Sequence, residues 1–329
     1  MELRRRQFLQ FAGAAVAAPA ASRIATAQTY PTRPITIMVG APAGGPTDTI
    51  ARILAQHMRI SLRQAIIIEN NGTAGGTIAH GRTARAAPDG YTLSLGHTAT
   101  HVLNGAVYSL TYDVSKDFEP ISLVSSNSWL IAAKGTLPPR DLQEFIGWLK
   151  LNPGTALQGL GGIGAPDHVA SVLLQSTMGI RWQFVPYRGS APLMQDLVAG
   201  QIDWAIPVPD TSIPQMRAGR IKIYAVAAPR RLPAAPDIPT VDEAGLPGFY
   251  VSYWHGLWAP RGTPKEIIAT INAALVDALA DRGIRQRFAE IGQEIFPQEQ
   301  QNPRALAALQ MAEIEKWWPI IIAAGIKAE

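Results

Sequence analysis

The chain has 329 residues, of which 47% are hydrophobic and 16% charged, and a formal net charge of +4. Arg4, Arg5, Arg6 and Arg23 against Glu2 place +3 of that charge before residue 28 and leave +1 on the remainder, where no run of Lys or Arg occurs. That excludes an electrostatic stripe for nucleic acid or an anionic membrane, and the lack of any cysteine excludes a disulfide framework, a lipid-modified N-terminal Cys, a Cys nucleophile and a thiolate metal site.

The opening MELRRRQFLQFAGAAVAAPAASRIATAQ reads as an export leader over residues 1–27. It has a cationic start, an apolar stretch from Phe8 to Ala21 and a small-residue cleavage signal at Ala25, Thr26 and Ala27. Arg5-Arg6-Gln7-Phe8-Leu9 matches the core of a twin-arginine signal, with Arg4 where Ser or Thr is usual, so the twin-arginine and general secretory routes both stay open. The apolar stretch falls short of the roughly 20 residues that span a bilayer, which argues for cleavage and release into the periplasm over a retained anchor.

The chain beyond the leader exceeds the size one core usually supports, so two lobes are expected. From Pro34 it alternates β-branched runs with helical patterns: 35–39, a helix over 49–60, then 65–69, a helix after Gly76, and 91–96. A second series has runs at 129–133, 157–159, 183–186, 202–206 and 222–227, with helices over 141–151, 168–178 and 191–199. Such alternation predicts βαβ units and parallel sheets. Pro233, Pro236, Pro239 and Pro247 make 230–248 an irregular connection. Past Trp254 the pattern reads as helical. Thr263 as N-cap, Pro264 at the first position and Glu266 at the third predict a helix to about residue 282; Asn302-Pro303 opens another, which Pro319 ends or kinks. The expected layout is lobe 1 over 28–127, lobe 2 over 128–250, and a return to lobe 1 over 251–329.

Three strand-to-helix turns are candidate sites. PAGGPTD (42–48) carries Gly44 and Gly45, which let backbone approach a ligand, ahead of a helix start that can bind an anion. The plainer reading is a tight turn capped by Thr47 or Asp48. GLGGIGAPDH (159–168) satisfies G-x-G-x-x-G, yet no Asp or Glu occurs between His168 and Gln195 to hold a ribose, so a dinucleotide is disfavoured and an anion-accepting turn or a plain loop remains. In VPYRGSAP (185–192), Arg188 can clamp a carboxylate or face solvent, and Ser190 can cap a helix or donate to a ligand.

His97 and His101 stand four apart without the intervening Glu of a metalloprotease pair or a third ligand, His255 reads as a packing residue, and no G-x-S-x-G elbow occurs. No metal and no cofactor is expected.

Taken in order, YPTRPITIMVGAPAGGPTDTIARILA (30–55), AAPDGYTLSLG (86–96), VPYRGSAPLMQDLVAGQID (185–203), PDIPTVDEAGLPGF (236–249), WHGLWAPRGTPKEII (254–268) and the terminal AAGIKAE resemble one family: the Bug or TctC-like extracytoplasmic solute receptors of tripartite tricarboxylate transporters. The resemblance implies an α/β, type 2 periplasmic binding protein fold, two lobes joined by a double crossover with the ligand cleft between them. It also implies a monomeric receptor without enzymatic activity, with a small organic carboxylate as ligand and transporter membrane subunits as partners. By position it assigns ligand contact to Ala43, Gly44, Gly45, Thr47 and Asp48 in one turn, to Gly162, Gly164, Ala165 and His168 in the other, and to Arg188, Gly189 and Ser190 along the second lobe.

Departures from the family pattern occur at NNGTAGG (70–76), at Ala165, where Thr or Ser is frequent, and at Pro207, where a polar residue is frequent. They leave a single backbone-anchored carboxylate as the expected ligand feature, with a second recognised group open. A micromolar receptor needs about 8 kcal/mol and a helix N-terminus supplies only about 0.3 to 2 kcal/mol, so several charge-assisted hydrogen bonds from both lobes are required. A periplasmic sensor for a signalling partner, or an exported hydrolase or isomerase using His168 or His97, are the competing readings.

Overall fold

The computed structural model describes residues 30–327, and the leader read over 1–27 lies outside them. Ile35–Val39 (β1) is buried or half-buried at every position, the condition under which a strand reads as a continuous apolar run. It is followed by Pro46–Leu62 (α1), Ile66–Asn70 (β2), Thr77–Ala84 (α2), Thr92–His97 (β3), a short helix at Asn104–Val107 (α3) and the long strand Phe118–Ser128 (β4). The chain then enters a second unit: Leu130–Lys134 (β5), Leu142–Leu151 (α4), Leu157–Leu160 (β6), Pro166–Met178 (α5), Gln183–Pro186 (β7), Ser190–Ala199 (α6), Trp204–Ala205 (β8), Pro209–Arg217 (α7) and Ile221–Val226 (β9). It returns as Ser252–Pro260 (β10), Lys265–Ala280 (α8), Arg282–Glu290 (α9), Glu294–Ile295 (β11) and Pro303–Ala323 (α10).

The first sheet runs β11-β4-β10-β3-β1-β2 and the second β7-β6-β8-β5-β9. β1 pairs in parallel with β2 and β3, and β6 in parallel with β7 and β8, as the βαβ pattern predicts. Neither sheet is wholly parallel, however. β10 lies antiparallel between β3 and β4, and β5 is antiparallel to β8 and β9.

The sequence expectation fails at β4 and β10, and the causes are physical. In β10 every residue from Trp254 to Pro260 is buried, so no alternation marks it as a strand. In β4 the serines that blur the apolar pattern, Ser122 and Ser125, are themselves fully buried. At α8 the N-cap is Pro264 and not Thr263, whose hydroxyl instead donates to the Pro260 carbonyl at 2.7 Å. Asn302 caps α10 by accepting the Ala305 N–H at 2.9 Å, and the helix continues through Pro319 to Ala323.

Two crossings join the sheets, β4 to β5 and the stretch from β9 to β10. They are bonded to each other: Trp129 N–H donates to Val251 O (3.1 Å), Val251 N–H to Ala227 O (2.9 Å), and Ala227 N–H to Trp129 O (2.8 Å). Beneath the first sheet, α8 buries Ile268, Ile271, Leu275, Ala278 and Leu279 along one face, each large side chain contributing about 1.5 to 3 kcal/mol. α10 packs on β4 and also touches α5, so the returning segment contacts both units.

Candidate functional site

A cavity of about 430 Å³ opens between the two sheets. Its wall is built from four places. Ala41, Pro42 and Gly45 to Thr47 contribute the turn after β1, and Gly161 with Ala165 to Asp167 the turn after β6. Gly189, Ser190 and Leu193 contribute the start of α6, and Ile206 to Val208 with Asp210 the approach to α7. The floor comes from the crossing strands: Asn127, Trp129, Tyr253 and His255, with Gln293.

Helix starts therefore converge on one space, because in both halves the turn after a parallel strand leads straight into a helix whose first N–H groups lack intrahelical partners. At α1 the N-cap is Gly45 in extended conformation with Pro46 first in the helix, so the N–H groups of Thr47 and Asp48 head the helix. At α6 the N-cap Gly189 has φ 100° and ψ −179°, a region essentially restricted to glycine, which sets the helix start against the cavity. Gly164 (φ 76°) sits beside the other unit: a Cβ there would lie 2.8 Å from Val107 Cγ1.

Of the positions read from the sequence, Gly45, Thr47, Ala165, Gly189 and Ser190 line the cavity. Ala43 and Gly44 are exposed at the tip of their turn, and Arg188 is exposed on the loop before α6. Gly162 and Gly164 shape the second turn without lining the space. Asp48 turns away from it: its Oδ2 accepts the Gly44 N–H at 2.8 Å and Arg52 Nε at 2.9 Å. Burial alone would raise the Asp48 pKa, but these bonds hold it below the ordinary carboxylate value. His168 Nδ1 accepts the Gly164 N–H at 3.1 Å, so this ring staples its own turn.

Asp167, next to it, is 3% exposed. One oxygen accepts the Gly161 N–H, and the other has no partner among the described residues. Burial raises its pKa to about 6, against lowering by the N–H groups of Gly161, His168 and Asp167 itself. The donors of the second turn are thus aimed at a carboxylate of the chain.

The floor is a hydrogen-bonded layer over a buried histidine cluster. Thr47 Oγ1 lies 3.2 Å from His255 Nε2, and the pairing of β10 with β4 shifts register between His255 and Gly256 and again between Leu257 and Trp258. Behind it, Ser94 Oγ sits 2.6 Å from His80 Nδ1 and 3.3 Å from His101 Nε2, while His101 stacks on Trp258 with centroids 3.9 Å apart. Desolvation lowers the pKa of His80 and His255 to about 3 and takes His97 and His101 well below their ordinary value, so all four are neutral near pH 7. Among the described residues, no three or more His, Asp or Glu side chains are placed to hold a metal ion.

Sequence reasoning missed Asn127, Trp129, Tyr253, Gln293, Asp167 and Asp210, and read His255 only as a packing residue. Asp167 and Pro207 stood inside or beside segments already singled out; the crossing-strand residues carry no local signal, because only the double crossover turns them into a floor.

Two α/β units joined by paired crossings, with helix starts from both facing one cavity, define a two-lobed solute-binding protein. The sequence matches the family described as tripartite tricarboxylate transporter family receptor, TctC, over residues 50–326, and the chain belongs to that family. A protein of Agrobacterium vitis encoded in the ttuE-ttuC' intergenic region is 38% identical over 303 residues, covering 92% of this chain and 88% of the relative. Among solved structures, MatC from Rhodopseudomonas palustris with bound malate is 40% identical with a TM-score of 0.76, covering 89% of this chain and 100% of its own. A second protein of that organism, solved with adipate, is 31% identical with a TM-score of 0.78, covering 91% and 100%.

Proposed function

We propose that this chain is a periplasmic receptor that captures a small organic acid in the inter-lobe cavity and delivers it, unchanged, to the membrane subunits of a tripartite carboxylate transporter. The observation that carries the reading is the cavity itself, of a size for a small acid, with the N–H groups at the head of α1 at one wall and the start of α6 at another. Gly45 and Thr47 hold the carboxylate, with Gly189, Ser190 and Ala165 facing it from the second lobe. MatC with malate and its adipate-bound neighbour are carboxylate complexes of the same fold, which supports the ligand class. A role without chemistry fits the histidines: neither His97 nor His168 lines the cavity, and His255, which does, is a buried neutral ring engaged with Thr47 Oγ1. Export to the periplasm rests on the leader, with the mature chain starting at Gln28.

The test is a thermal-shift screen of mono-, di- and tricarboxylates and amino acids, followed by recovery of the bound compound after denaturation. At least one acid stabilises the protein and is recovered intact. Stabilisation by none of them, or recovery of a converted product, overturns the reading.

A further inference from the structure

The segment NNGTAGG (70–76) departs from the family pattern and contributes nothing to the cavity lining. It backs the first turn instead. Asn70 Nδ2 donates to the Ala41 carbonyl at 3.2 Å, and the Asn71 N–H to the Val39 carbonyl at 2.9 Å. Gly72 has an ordinary φ of −85°, but a Cβ there would lie 2.8 Å from Pro42 Cδ and 3.0 Å from Pro42 N, so close approach to the turn, and not conformation, demands glycine. Ala41 and Pro42, the residues it supports, line the cavity.

The same glycine makes its neighbour reactive. In an Asn-Gly pair no side chain shields the second residue's amide nitrogen, which can then attack the carboxamide carbon of the first. Three features of Asn71 favour that attack. Its Oδ1 accepts the Thr73 N–H at 3.1 Å, which folds the carboxamide over the Gly72 peptide, polarises its carbonyl and stabilises the oxyanion that forms on attack. Neither the Gly72 nitrogen nor Asn71 Nδ2 makes a hydrogen bond among the described residues, so nucleophile and leaving group are both unheld. Both residues are half-buried and not sealed, so water reaches them. The second Asn-Gly pair is a control within the same chain: Asn104 is 4% exposed, its Nδ2 donates to the Gly75 carbonyl at 2.9 Å, and Gly105 lies within α3.

We infer that Asn71 is a site of spontaneous backbone modification that ages the protein. The Gly72 nitrogen gives its proton to hydroxide and bonds to Asn71 Cγ; the Cγ–Nδ2 bond breaks, and the nitrogen leaves as ammonia with a proton taken from water. Water then opens the cyclic imide at either carbonyl, giving aspartate, or isoaspartate with an extra methylene in the main chain. Both products add a negative charge behind a turn that takes an anion, and isoaspartate also lengthens the backbone between the Val39 bond and the Pro42 contact. The effect on binding rests on the reading that this turn holds the carboxylate; the modification itself does not.

The experiment holds the mature protein at pH 8.5, maps its peptides by mass spectrometry with isoaspartate scored enzymatically, and separates the more acidic fraction by ion exchange. Residue 71 converts at least about tenfold faster than residue 104, with isoaspartate among its products. The acidic fraction melts lower and binds several-fold more weakly the acid that stabilises the parent. N71S, whose hydroxyl can still accept the Thr73 N–H, forms no such fraction. An intact residue 71, conversion no faster than at residue 104, or a converted fraction that matches fresh protein in melting temperature and affinity overturns the inference. If no acid binds fresh protein, the receptor reading falls, while the peptide map and the melting comparison still decide this one.

Discussion

Two aspartates occupy corresponding places in the two lobes and are treated in opposite ways. Asp48 and Asp167 each lie in the first turn of a helix, are 2% and 3% exposed, and accept a backbone N–H from the preceding glycine turn. Asp48 also has Arg52 at 2.9 Å and is held below the ordinary carboxylate pKa; Asp167 has no cation and is raised to about 6. Both are shut from solvent, but Asp167 lies deeper in the protein, so stronger desolvation and the missing cation act together to raise it. Each aspartate keeps one buried carboxylate oxygen without a partner among the described residues, so the two turns differ in the cation beside the carboxylate and not in the oxygen left over.

The largest test of this contrast is steric. Gly45 has ordinary extended φ, and a Cβ there would meet only the Pro42 carbonyl at 3.3 Å. G45V should therefore fold with little loss of stability yet lose at least about a hundredfold in affinity, the equivalent of about 2.7 kcal/mol, by filling the wall where we propose that the carboxylate sits. Calorimetry with whichever acid stabilises the parent checks this, and equal affinity in variant and parent would remove the first turn from the site.

A smaller effect separates the aspartates directly. D48N weakens the bond to half-exposed Arg52 and should cost about 1 to 2 kcal/mol after allowance for solvent screening. D167N keeps an acceptor for Gly161 while discarding an unpaired buried charge, and should stay within about 1 kcal/mol of the parent without ligand. Urea denaturation of the three proteins gives the ranking; a larger loss in D167N would mean that the second carboxylate is paired after all.

The most gradual effect is on pH. His80 and His255 take up protons near 6.5 when unfolded but only near 3 when folded. The unfolded state thus binds more protons within that window, and stability falls as pH drops through it, by about 1.4 kcal/mol per unit for each histidine. Asp167, raised from 3.8 to about 6, opposes this between those values as a single group, so the histidines prevail. Melting temperature should decline steadily below pH 6.5, more shallowly in H80N; a flat profile would mean that the cluster is already charged in the fold.

The alternating lobes, both glycine turns and the helix starts were legible because each leaves a local mark: β-branched runs, glycines at fixed offsets, a proline just inside a helix. β4 and β10 were not, since a strand buried on both faces loses its period and buried serines imitate a loop. The floor of the cavity was hidden with them. Asn127, Trp129, Tyr253 and His255 belong to the floor only because two strands leave one lobe for the other side by side, a fact of topology that no window of sequence contains. Asp167 was in plain view within GLGGIGAPDH, but whether a helix-start carboxylate faces inward or finds an arginine depends on the residue one helical turn later: Arg52 comes four after Asp48, and Ser171 four after Asp167.

The backbone knot of Trp129, Ala227 and Val251 ties the two crossings into one mechanical unit. Two bonds join Trp129 of one crossing to Ala227 and Val251 of the other, and a third closes the second crossing on itself, so the two connections are held side by side. The indole of Trp129 reaches the cavity from that same residue. Trp129 therefore belongs at once to the lining of the cavity and to the bonded pair of crossings that joins the two sheets.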